Sequence, residues 1–466
     1  DFKLNQKANN AVFKVNFKKP LNTKTFISAT AAVSYEEQHS RHEYLQRSLA
    51  ITNGDTTISV DTSYLMMGYN FNTIKTSGHF SINHKINKKN LIKAGVNLDV
   101  FSLFQSDSVL YDLDLPNNFK QRWDYTGNKL LVQPFVQWKF RANDNLDFTL
   151  GLHSQYFSNA NSLSPIEPRT AIKYRLPKNQ SVFAGAGLHS QMQPLYTYSY
   201  HQAGPNGEKV YQNEDMGLMK SIHTGLGYEK VFNKGFSIKT ETYYQYLYEV
   251  PVTVVPSSFS IINMGSGFSR LFPDSLQNTG TGINYGVELT VQKYFNKSFF
   301  FLFSGTLYDS KYRGSDNILR NTSYNGSYVV NFLAGKEFNI GKNNVLGIGL
   351  KTTRAGGKRY GYVNLGATED LKEIVFQDSL FNERQFADYF RFDLKISWRL
   401  NAKKTAHEIG LDLVNVLNTS NLLGLAYAPS LDPSVVNSPG YEPTAERKQL
   451  GFLPVFYYKI DFRPKK

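Results

Sequence analysis

The stretch YFRFDLKISWRL, residues 389–400, sorts its side chains by parity. Phe390, Phe392, Leu394, Ile396, Trp398 and Leu400 fall on one side of an extended chain, and Arg391, Asp393, Lys395, Ser397 and Arg399 on the other, because successive side chains of a strand point to opposite faces. Four charges on one face are too many for a packed core. They suit a wet lumen, with the apolar face against lipid. INYGVELTV repeats the split, with Ile283, Tyr285, Val287, Leu289 and Val291 against Asn284, Gly286, Glu288 and Thr290. FSIKTETYYQY puts Lys239, Glu241 and Gln245 on its polar face, and LIKAGVNLDV puts Lys93, Gly95, Asn97 and Asp99 there. A soluble sandwich also alternates, so strand length decides. Runs of about 11 to 15 residues exceed the usual five or six of globular sheets and match a tilted membrane crossing.

Composition agrees. No stretch approaches the roughly 18 apolar residues of a spanning helix, and mean hydropathy is negative, which excludes a helical membrane protein and leaves a membrane β-barrel open. Aromatic residues make up 14% of the chain, with 30 Tyr and 34 Phe, as interfacial belts require. The absence of cysteine excludes disulfide scaffolds, Cys-ligated zinc and thiol catalysis. The net charge of +14 is spread over short Asn-rich pieces such as KINKKN and GKNN. Without a basic helix or an aromatic RNA-binding motif, no nucleic-acid partner is expected. The chain opens on Asp1 with no signal peptide, so it is expected to be processed, trimmed or incomplete.

Connections alternate in length. Short Lys/Asn turns near 20–24, 87–90, 142–145, 176–181, 231–235, 296–298, 338–344 and 400–405 separate mostly longer stretches near 41–73, 107–127, 192–218, 249–281, 354–388 and 416–453, with shorter ones near 159–164 and 312–323. This is the asymmetry of an outer-membrane barrel, with periplasmic turns and extracellular loops. The reading is therefore all-β: a transmembrane antiparallel β-barrel with about 17 strands present. Single-chain bacterial barrels normally have an even number. Either one strand is miscounted or the chain is a piece of something larger.

The pentapeptide GLHSQ occurs twice, at 151–155 and 187–191. Parity puts His153 and Gln155, and His189 and Gln191, in the lumen. Neighbouring His and Ser then face opposite ways and cannot work as base and nucleophile, so no enzymatic activity is expected. Two isolated histidines lack a third ligand, so neither a metal nor a cofactor is expected. The two strands are next-but-one neighbours, which places the histidines on the order of 10 Å apart in one polar ring.

GINYGVELTVQKYFNKSFFFLFSGTLYDSKYRG, RNTSYNGSYVVNFLAGKEF, GLDLVNVLNTSN and a closing VFYYKIDF, in that order, resemble the barrel of TonB-dependent outer-membrane transporters, particularly the Bacteroidetes type. SPIEPRTAIKY looks like that family's Pro-Arg strand start, at Pro168, Arg169 and Tyr174. The final strand, with Phe456, Tyr458, Ile460 and Phe462, is similar to the signal read by barrel-assembly machinery, although Arg463 to Lys466 extend past its terminal aromatic residue. The resemblance implies a barrel of 22 strands, an N-terminal plug domain bearing a TonB box, and energy-coupled import of a bulky, scarce solute. Residues 1–466 are then expected to be the C-terminal part of the barrel, with the plug and about five strands upstream. Implied partners are outer-membrane lipids, the TonB complex through that upstream segment and, as a further candidate, a surface lipoprotein.

On this reading the lumen is lined by Lys239, Glu241, Arg391, Asp393 and Lys395, and the two histidine positions either belong to a solvated wall or touch plug or cargo. The loop PLYTYSYHQ, with Tyr196, Tyr198 and Tyr200, and the loop GGKRYGYVNLGATEDLKEIVF, with Tyr360 and Tyr362, are candidate capture surfaces, since aromatic rings stack on sugars and peptides. Plain interfacial anchoring is the competing reading for these tyrosines. A scaffold barrel that docks lipoproteins or a secretion complex is the alternative function. Substrate identity is not legible, because one pore wall serves many cargoes.

Overall fold

The computed structural model describes residues 2–52, 55–110, 118–159, 162–264, 275–371, 373–430, 433–436 and 438–462. Seventeen long strands form the wall: Phe2–Pro20 (β1), Thr25–Thr52 (β2), Asp55–Lys85 (β3), Asn90–Leu110 (β4), Asp124–Arg141 (β5), Leu146–His153 (β6), Glu167–Leu176 (β7), Gln180–Gln191 (β8), Met219–Phe232 (β9), Phe236–Thr253 (β10), Leu276–Asn296 (β11), Phe299–Arg313 (β12), Tyr328–Ile340 (β13), Asn344–Ala355 (β14), Tyr389–Asn401 (β15), Thr405–Val414 (β16) and Leu453–Phe462 (β17). Each pairs antiparallel with the next, and with four short strands they make one 21-stranded sheet. Among the described residues β1 pairs only with β2, and β17 only with β16.

The tight turns follow from their asparagines and lysines. Asn87 Oδ1 accepts the backbone N–H groups of Lys89 and Asn90, both at 2.9 Å, and Asn143 Oδ1 those of Asn145 and Leu146 at 2.9 and 3.0 Å, so the side chain replaces a backbone turn partner. Elsewhere Lys297 and Ser298 (φ 52° and 60°) take the left-handed conformation that matches the twist of a two-residue hairpin, and Lys178 and Asn179 (φ 61° and 56°) take it in the three-residue turn between Leu176 and Gln180.

Register fixes the faces. Leu394 lies opposite Leu350 and Leu413, and Ile396 opposite Ile348 and Leu411, continuing one apolar surface across three strands. Aromatic residues bound that surface at both ends. Near the short turns Trp138 stacks on Phe140, with centroids 5.5 Å apart, and its indole N–H donates to Asn90 Oδ1 at 2.9 Å. Near the long loops the Tyr285 hydroxyl donates to Asp309 at 2.8 Å, and Lys311 pairs with the same carboxylate at 2.9 Å. These are the belts expected where hydrocarbon gives way to water.

One expected loop, 41–73, is a ladder instead. β2 and β3 stay paired out to Thr52 and Asp55, with register shifts at His42/Glu43 and Gln46/Arg47. Beyond the bilayer both faces of a strand are solvated, so no apolar–polar split marks it. Backbone hydrogen bonds and cross-strand contacts such as Tyr44 on Tyr64, at 5.3 Å, hold it instead.

Loop 192–218 turns inward. Tyr198, Met216 and Leu218 pack with Phe157 on the inner faces of Phe101 and Leu103 in β4, Leu131 in β5 and Leu276 in β11. Trp123 is fully buried beside Phe71 and Tyr200, and its indole N–H donates to the Tyr196 carbonyl at 2.7 Å.

Candidate functional site

The inner wall carries a hydrogen-bonded belt built by register. Gln245 lies opposite His223 and Asn284, and Asn284 opposite Ser310. Their side chains join in that order: Gln245 to His223 at 2.7 Å, Asn284 to the Gln245 oxygen at 2.8 Å, and Ser310 to the Asn284 oxygen at 2.6 Å. Thr322 extends the row by donating to Ser310 at 2.8 Å.

The first GLHSQ copy builds a second polar cluster, around a carboxylate. His153 lies opposite Glu167 and donates to it from Nδ1 at 2.8 Å. Glu167 is 0% exposed and also accepts from Arg169 at 3.0 Å and Gln155 at 3.3 Å. A buried carboxylate needs such partners, since desolvation otherwise favours its neutral form. Gln155 Nε2 donates in addition to the Ser190 carbonyl at 2.5 Å, which ties the first copy to the second. The second copy meets another histidine: the His189 and His223 rings lie 4.7 Å apart, tilted by 52°. Gly187 gives His189 and Arg169 room, because a Cβ there would sit 3.0 Å from His189 Nε2 and 3.3 Å from Arg169 Cγ.

Two lumen pockets flank Arg169. One, of about 450 Å³, is lined by Asn97, Gln133, Phe135 and His153; the other, of about 470 Å³, by His189, His223, Tyr243, Glu241 and Glu288. Among the described residues no three His, Cys, Asp or Glu side chains gather as a metal-ligand set.

The remaining residues singled out from the sequence fall in separate places. Lys239 and Glu241 pair with each other at 2.6 Å on β10. Arg391 and Asp393 pair at 2.8 Å on β15, and Lys395 reaches Asp412 at 3.5 Å. Four strands, β11 to β14, separate the two groups. Gln191 is exposed, unlike Gln155, which is 3% exposed. Glu167 joins these residues although the sequence motif beside it is carried by Pro168 and Arg169. Its parity with Arg169 and its place across from His153 were the available signals.

The tyrosine loops correct one expectation. Tyr198 and Tyr200 do not offer open rings, since they are 1% and 5% exposed inside the inward-turned loop. The Tyr198 hydroxyl accepts from the Gln193 N–H, and burial pushes its pKa up to about 12. Tyr196 is half-buried against Phe71 and Trp123. Tyr362 is exposed and Tyr360 is half-buried. Arg384 lies over both rings, at 5.0 and 5.3 Å, and Tyr360 stacks on Phe386 at 4.1 Å. In β17, Tyr458, Ile460 and Phe462 are exposed on the outward face, with the Tyr458 hydroxyl bonded to His407 at 2.7 Å. Arg463 to Lys466 lie outside the described residues.

Comparison with known proteins places this wall. The family model for the TonB-dependent receptor-like β-barrel matches residues 2–418. The chain belongs to the TonB-dependent receptor family. It is an outer-membrane β-barrel. Among solved structures it is similar to the ferric preacinetobactin receptor BauA of Acinetobacter baumannii (14% identity, TM-score 0.60, 98% of this chain and 64% of that one). It is similar to the ferric-catecholate import receptor Fiu of Escherichia coli K12 (11%, 0.63, 98% and 64%) and to the RagAB peptide transporter (12%, 0.58, 89% and 58%). At these identities the likeness shows the fold. The chain spans about 64% of the length of the first two receptors. No curated protein sequence matches it.

Proposed function

We propose that the protein serves TonB-dependent uptake of a bulky solute across the outer membrane. The observation that carries this reading is the pair of ordered polar clusters on the inner wall, one of His153, Gln155 and Arg169 around Glu167 and one running from His223 through Gln245 and Asn284 to Ser310, with the His189 ring against His223 between them. A lipid-facing barrel needs no such ordered polar row for stability, whereas a lumen that holds a plug and passes cargo needs fixed donors and acceptors. Family membership supports coupling to the TonB complex, and the proteins of similar fold include a ferric preacinetobactin receptor, a ferric-catecholate import receptor and a peptide transporter, which leaves the cargo open at this level. A surface lipoprotein as an additional partner and a Bacteroidetes-type system rest on the sequence resemblance of the C-terminal strands. The edges of β1 and β17 need hydrogen-bonding neighbours in hydrocarbon, which the full barrel of this family would supply.

The test uses the full-length gene product in cells. Replacing both His153 and His189 by alanine should lower uptake while the amount of assembled barrel stays constant. Loss of TonB function should abolish uptake. Solute accumulation that is the same with and without TonB would contradict the proposal.

A further inference from the structure

The net charge of the chain sits at one end of the wall. The eight short-turn segments 18–24, 85–93, 139–147, 173–178, 229–239, 293–297, 336–342 and 399–408 hold 22 Lys and Arg against 5 Asp and Glu, a surplus of 17, where the whole chain has a surplus of 14. The rest of the chain is therefore slightly acidic. Seven of the eight turns present an exposed lysine: Lys24, Lys88, Lys178, Lys234, Lys297, Lys342 and Lys403. The charge thus follows the rim from β1 to β16 instead of gathering in one patch. A protein partner would meet a few neighbouring turns, whereas a lipid leaflet surrounds all of them.

Between β9 and β13 this rim also turns lysines outward. Lys230, Lys293 and Lys336 share parity with the outward-facing Leu226, Leu289 and Phe332 on their strands. Register sets Lys293 opposite Phe236 and Phe301, and Lys336 opposite Phe299. Each ammonium lies over a ring: Lys230 over Phe232 at 4.8 Å, Lys293 over Phe299 at 5.8 Å and Lys336 over Phe338 at 5.2 Å. The rings themselves adjoin, Phe232 to Phe236 at 5.2 Å, Phe236 to Phe301 at 6.3 Å and Phe301 to Phe299 at 6.1 Å. Aromatic rings settle where hydrocarbon meets headgroups, and a lysine stem lies along apolar surface while its ammonium stays at the polar side. The three ammonium groups are thereby held at the depth of lipid phosphates.

We propose that the short-turn rim binds anionic phospholipid of the periplasmic leaflet, with the patch of Lys230, Lys293 and Lys336 as its strongest site. Outer-membrane barrels turn their short connections to the periplasm. Each lysine offers its ammonium to a phosphodiester oxygen, and the phenylalanine rings cover the upper part of the acyl chains. A zwitterionic headgroup carries a cation that the lysines repel, so the site selects for net negative charge. The inference concerns the membrane around the barrel and does not depend on which solute crosses it.

The test reconstitutes the full-length protein in phosphatidylcholine vesicles with a trace of spin-labelled phosphatidylglycerol or spin-labelled phosphatidylcholine, and reads the fraction immobilised at the barrel surface. Phosphatidylglycerol should associate about fivefold more strongly, as expected for a lysine at headgroup depth. Lys230→Gln, Lys293→Gln and Lys336→Gln together should remove most of that preference, and the three corresponding arginine replacements should keep it. High salt should also weaken the preference of the unaltered protein, since exposed charge is screened, which keeps the test valid if the glutamine variant fails to assemble. Equal immobilisation of the two lipids by the unaltered protein would overturn the proposal. So would a preference that salt does not lower. A preference that salt removes and the glutamine variant retains in full would overturn the patch as the strongest site.

Discussion

The two GLHSQ copies are identical in sequence and different in use. At 151–155 the histidine and glutamine both bond a buried carboxylate, Glu167. At 187–191 the histidine packs on His223 and the glutamine is exposed. The strands that carry them face the same way, so the difference comes from the neighbours: β7 offers Glu167 to the first copy, and β9 offers His223 to the second. Parity assigns the face of a barrel residue, and the strand beside it assigns the interaction.

The largest expected effect tests what the copies share. Leu152 and Leu188 both face lipid, so an arginine at either position should destabilise the barrel by about 2–4 kcal/mol if it lies near the bilayer midplane. Urea unfolding from lipid vesicles measures this. A large loss at one leucine and none at the other would break the equivalence of the two outer faces.

The next effect tests how they differ. His153→Ala removes a partner from a fully buried carboxylate and should cost about 1–3 kcal/mol, whereas His189→Ala should cost less than about 1 kcal/mol. In a Glu167→Gln background the two losses should converge, since the charge that separates them is gone. A double-mutant cycle between His153 and Glu167 with no coupling, against the roughly 0.5–3 kcal/mol usual for residues in contact, would count against the network. The smallest effect concerns the fifth position. Gln155→Ala should cost about 0.5–1.5 kcal/mol per hydrogen bond that is not replaced by water, and Gln191→Ala should stay within about 0.5 kcal/mol.

Much of this was legible in the sequence, for a physical reason. In a bilayer the outward residue must be apolar and the inward one is free to be polar, so Arg391 and Leu394 declare their faces without knowledge of any contact. The tight turns at 87–90 and 142–145 were legible because asparagine makes the turn by itself. Where the solvent is water on both sides, that contrast ends. The paired continuation of β2 and β3 through 41–73 therefore read as a loop. The burial of Tyr198 and Tyr200 depends on Trp123 and Phe157. Such distant partners leave no periodic mark. Glu167 lay between these cases: its face was readable, and its role required the register that sets it across from His153.

The most direct test of the central claim uses the absence of cysteine in residues 1–466, so that a single cysteine introduced there is the one site in this wall that carries a spin label. Labels at Leu188→Cys and His189→Cys, one residue apart, are compared in lipid for collision with dissolved oxygen, which concentrates in hydrocarbon, and with a water-soluble nickel chelate. The label at 188 should be relaxed mainly by oxygen, and the label at 189 should show little oxygen contact, being shielded inside the lumen. Equal oxygen accessibility at the two positions would contradict a membrane wall with a polar inner belt.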